Sequence, residues 1–106
     1  MSESVEKPDL TDPEVAKAYI LGQTSKIQFS ELARAFAQGK VMFVDRALDM
    51  VDVGVAIVQD DAASITHWQK AGQLDVVTDH QAKLWFGANA TVWAFVIEPY
   101  VFVQPA

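Results

Sequence analysis

Apolar and polar positions along this chain fall into blocks whose period switches between helical and alternating. Asp12, Pro13 and Glu14 open the first block. They supply an N-cap acceptor, a proline whose missing N–H costs nothing at the first helical position, and an acid that suits the helix dipole. A helix is expected from there to about Gly22. Its apolar residues Val15, Ala16, Ala18, Tyr19, Ile20 and Leu21 wrap most of the circumference, which predicts more than one packed neighbour. Ser30, with Glu31 in the first turn, begins a second helix; Leu32 and Phe36 point inward and Gly39 is a left-handed stop.

Alternation then takes over. Val41 to Val44 reads as a strand, Asp45 to Asp49 as a turn, and Met50 to Val58 as a longer strand with Val51, Val53, Val55 and Ile57 on one face. Asp60 and Asp61 start a third helix, with Ile65 and Trp68 inward and Gly72 as its end. After a short extended link, Thr78 and Gln81 have the spacing of a capping box. The fourth helix that they open turns Ala82, Trp85 and Phe86 inward and stops at Gly87 or Asn89.

The stretch from Thr91 to Ala106, TVWAFVIEPYVFVQPA, holds eleven apolar residues and a single charge, Glu98. It predicts a strand from Thr91 to Glu98 that is apolar on both faces, a bend or bulge at Pro99, and further extended chain over Tyr100 to Val103. So much apolar surface belongs inside a sheet, under helices or against a second copy. Residues 1–10 show no apolar period, carry Pro8, and read as a loose tail. The expected molecule is one α+β domain over residues 11–106, with elements in the order ααββααβ. Its sheet is antiparallel, of about three strands, with helices packed on one side.

Composition narrows the function more than it defines it. A chain of 106 residues, 51% apolar and 21% charged, builds one globular core. The net charge is -6, and five of the six surplus negative charges lie after Lys40. That balance, with no basic run, argues against a nucleic-acid partner and opposes docking on anionic membranes. The lack of cysteine excludes disulfides, thiolate metal sites and a cysteine nucleophile. With no secretory pattern at the start and no apolar run of about 20 residues, the expected compartment is the cytoplasm.

No catalytic, metal or cofactor site is expected. His67 and His80 point away from the inner faces of their helices, and neither has metal-ligand spacing around it. Asp45, Asp49 and Asp52 lack the glycine and terminal glutamate of a calcium loop, and Asp60 with Asp61 fit a helix start. Neither a nucleophile elbow nor a glycine-rich phosphate loop is present. Trp68, Trp85 and Trp93 fall on inward positions and read as core.

What remains is an interface. His80 and Leu84 share a stripe of the fourth helix away from Trp85, and Tyr100 and Phe102 follow the proline bend. These residues suggest a non-catalytic interaction or regulatory module, assembled as a homodimer, whose acidic later part meets a basic protein partner. From another class, a small-molecule binder or enzyme would place a pocket between the sheet and the Trp68 and Trp85 helices, with Asp79 or His80 at its rim.

The segments SELARAFAQGKVMFVDRALDMVDVGVAIVQDDAASITHWQKAG and VTDHQAKLWFGANATVWAFVIEPYVFVQ resemble a family of short bacterial proteins of unknown function. The likeness runs from about Lys17 to Gln104 and lies in the helix ending at Gly39, the LDMVDVGVAIVQDDA stretch, the QAKLW helix and the WAFVIEPYVFVQ finish. It implies a bacterial, cytoplasmic origin and assigns no activity and no functional residue.

Overall fold

Asp12 accepts a hydrogen bond from the Glu14 amide and starts α1 (Pro13–Gln23), as its position predicts. The computed structural model describes residues 9–106; of the tail expected over 1–10, all but Asp9 and Leu10 lies outside them. Thr24 closes α1 by donating its hydroxyl to the Ile20 carbonyl, and β1 (Ser25–Gln28) follows. A 3-10 turn (Phe29–Leu32) then runs into the short α2 (Ala33–Ala37). Glu31 reaches back to the Gln28 amide, so the cap sits at Gln28 and Ser30 lies within the first turn instead of before it. Gly39, at φ +72, turns the chain into β2 (Val41–Val44).

The largest departure from expectation follows. Met50–Val58 is a helix, α3, and not the second strand of a hairpin. Asp49 accepts from the amides of Val51 and Asp52 at 2.8 and 3.3 Å, which satisfies two donors that a helix start otherwise leaves open. Gly54 faces α1: a Cβ there would stand 2.5 Å from Ile20 Cγ2, so the missing side chain is what lets the two helices cross this closely. Packing of this kind overrides the strand preference of a valine-rich run.

Asp61 caps α4 (Ala62–Lys70), and Gly72, at φ +73, follows its end. Next come β3 (Leu74–Val76) and α5 (Asp79–Ala88), whose Thr78 cap accepts from the Gln81 amide. Left-handed Asn89 stops α5, while Gly87 stays inside it. β4 (Thr91–Ile97) and β5 (Tyr100–Pro105) form a hairpin whose Glu98–Pro99 bond is cis.

Among the described residues the sheet has five strands in the order β1-β4-β5-β2-β3. It is mixed, because β5 runs parallel to β2 while the other pairs are antiparallel. The expected three-stranded antiparallel sheet is therefore too small, and its helices cover both faces. On one face α1, α3 and α4 enclose Ile20, Val44, Val53, Leu74, Phe95 and Phe102. On the other, the 3-10 turn, α2 and α5 enclose Phe29, Val41, Trp85, Val92 and Val103. β4 and β5 thus lie between two apolar layers, which is why TVWAFVI and YVFV carry apolar residues on both sides.

Candidate functional site

Strand register assembles the candidate site. Met42 is opposite Phe102 on β5 and opposite Val76 on β3, so the three side chains form one row across the sheet. Ile57 of α3, together with Ile65 and Gln69 of α4, overhangs this row, and Gly39 and Tyr100 complete its rim. The result is a groove of about 400 Å³ with no charged residue in its lining among the described residues. Its floor is buried at Phe102, which is 5% exposed, while Val76 and Tyr100 remain 46% and 44% exposed.

Tyr100 and Phe102, expected at an interface, both line this groove. His80 and Leu84 do not join them. They sit on α5, which covers the opposite face of the sheet, where Leu84 is 55% exposed. Sequence reasoning missed Met42, Ile57, Ile65 and Val76, because only the register and the helical reading of residues 50–58 bring them together.

The pocket expected beside the Trp68 and Trp85 helices has a counterpart in a cleft of about 230 Å³ between Gly72, β3 and the first turns of α5. Neither tryptophan lines it. Trp85 is buried against Phe29, ring centroids 4.9 Å apart, and Trp68 packs into the core of the other face. Asp79 and His80 are exposed in the first turn of α5, outside the cleft lining. Two of the polar groups that do line it are turned to their own backbone, Asp75 accepting from the Val76 amide at 2.7 Å and Thr78 from the Gln81 amide at 3.1 Å, and Gln81 lines it as well. Trp93, expected inward, is 38% exposed and carries the Lys26 ammonium 5.1 Å above its ring.

A third cavity, of about 390 Å³, lies at the hairpin end of β4 and is lined by Tyr19, Gln23, Val58, Val96, Ile97 and Glu98. Strand β1 pairs with β4 only from Thr91 to Ala94, so among the described residues Phe95 to Ile97 have no strand partner on that side.

Two carboxyls are held below the usual aspartate range. The Ser64 hydroxyl and amide do this to Asp61, and the Thr11 hydroxyl and amide to Asp9. Both are turn or cap interactions at the surface, and neither residue lines any of the three cavities. Among the described residues no three histidine, aspartate or glutamate side chains gather as metal ligands, and no helix is long and apolar enough to cross a membrane.

Residues 15–105 match the model of a protein family of unknown function, DUF2288, and the chain belongs to that family. The chain is also similar to PA1075 from Pseudomonas aeruginosa, known from an NMR solution structure. The two share 33% identity over 99% of this chain and 93% of that one, with a TM-score of 0.76. No curated protein matches the chain.

Proposed function

We propose that the protein is a non-catalytic interaction module of the cytoplasm that self-associates through the Tyr100 groove. The observation that carries this reading is the uncharged row of Phe102, Met42 and Val76, left half-open between two exposed rims. Each copy carries a net charge of -6, so two copies repel wherever acidic surfaces meet. The groove is a surface where they approach without that cost, and burial of its apolar rim drives the contact. A two-fold arrangement would place the Tyr100 ring of each copy in the groove of the other. The cleft beside β3 supports an enzymatic or small-molecule reading less well, because Asp75 and Thr78 are already bonded to backbone amides.

Sedimentation equilibrium tests the proposal. The wild type should be a dimer, and Val76→Asp and Tyr100→Asp should each weaken association at least tenfold, since each buries a carboxylate in an apolar contact. Leu84→Asp, on the opposite face, should leave the dimer unchanged. A wild type that stays monomeric at millimolar concentration, or a dimer broken by Leu84→Asp and not by the groove variants, overturns it.

A further inference from the structure

The cavity at the hairpin end of β4 has a different character from the groove. Its lining includes Gln23 and Val58, the last residues of α1 and α3, so two helices end on it. A helix C-terminus carries a partial negative charge of roughly half an elementary charge, although the carbonyls of Ile20 and Leu21 in α1 and of Val55, Ala56 and Ile57 in α3 already accept from the residues that follow. Glu98 adds a full negative charge from the β4–β5 turn. Tyr19 lies one turn before Gln23 on the same stripe of α1 and offers an aromatic face, the kind of surface to which cations are drawn. Val58 and Ile97 supply apolar wall, and among the described residues no basic one lines the site.

The geometry points to a receptor for a positively charged side chain: the ammonium of a lysine or the guanidinium of an arginine, carried by a basic protein segment laid along the open edge of β4. Three sources of negative potential converge on a cavity whose remaining wall suits the methylene stem of such a residue. β1 pairs with β4 only as far as Ala94, so among the described residues Phe95 to Ile97 have no strand partner on that side, and an extended segment is what adds to such an edge. The net charge of -6 favours approach of a basic partner to the molecule, and Glu98 places one of the negative charges at the site. The site is separate from the Tyr100 groove, with no lining residue in common, and does not depend on self-association.

Amide chemical shifts of the full chain test this with three probes: the capped tripeptide Val-Lys-Val, its Val-Glu-Val counterpart, and butylammonium chloride. The lysine peptide should move the amides of Tyr19, Gln23, Val96, Ile97 and Glu98, and the glutamate peptide should leave them in place. Affinity for the lysine peptide should fall at least tenfold in Glu98→Gln, a few-fold in Tyr19→Leu, and steadily with added salt. Butylammonium should bind at least tenfold more weakly than the peptide, because it makes no strand contact. Val76→Asp, which lies outside this cavity, should bind the lysine peptide as the wild type does. Equal responses to the two peptides, undiminished binding in folded Glu98→Gln, butylammonium binding as tightly as the peptide, or loss of binding in Val76→Asp would overturn the proposal.

Discussion

Gly54 and Ile20 show how tightly a single position can constrain this fold. Ile20 has no exposed surface, and the atom nearest a new Cβ is its branched Cγ2, which cannot swing away like the tip of a long side chain. Replacing a helical glycine by alanine ordinarily gains about 1 kcal/mol of helix propensity. Overpacking a closed core costs about 1–3 kcal/mol. The second effect wins here, so Gly54→Ala should lower the urea midpoint. Combined with Ile20→Ala it should cost less than the sum of the two single changes, because the second substitution removes the clash. Asp61 makes a pH-dependent contribution of definite sign. Its carboxyl titrates below the unfolded value of 3.8 because the Ser64 hydroxyl and amide favour the ionised form. The stabilisation is therefore complete above the unfolded value and disappears as the pH falls through the lower, folded one. Urea titrations should show the wild type more stable than Asp61→Ala at neutral pH, with the gap closing in strong acid.

Among the elements, α3 depends most on a single flanking side chain. Removing the cap with Asp49→Ala should cost about 1 kcal/mol, and hydrogen exchange should quicken first at the amides of Val51 and Asp52, which that carboxylate holds. The same residue explains a misreading. VDVGVAIV fits an alternating pattern as well as a buried helix, and the deciding contacts, Asp49 on its own amides and Gly54 against Ile20, become visible only in three dimensions. Elements with chemical punctuation were legible: Asp12 and Thr78 cap α1 and α5, and Gly39 and Gly72 take up left-handed conformations after α2 and α4. β1 and β3 were not, because four and three residues at the sheet edges, mostly exposed, are too few to establish a period. At the groove, the apolar excess around Tyr100 and Phe102 was legible as a candidate interface, and both residues line the groove. Its other walls come from residues scattered between Gly39 and Val76, which no local pattern connects.

At the scale of the whole molecule, two exposed features differ in character: uncharged residues line the Tyr100 groove, and Glu98 lines the cavity at the hairpin end of β4. The open edge of the sheet at β3 is guarded: Asp75 occupies the Val76 amide, which discourages strand addition there. The centre of the sheet has a further consequence. β5 lies between β4 and β2, so the β1–β4 pair and the β2–β3 pair have no common partner until Tyr100–Pro105 is in place. A ribosome making this chain therefore releases the keystone after every piece that it joins, and the emerging polypeptide must hold its greasy halves apart until then. Nascent chains stalled with only Ile97 clear of the exit tunnel should be cut rapidly by protease, whereas those with Pro105 clear should resist.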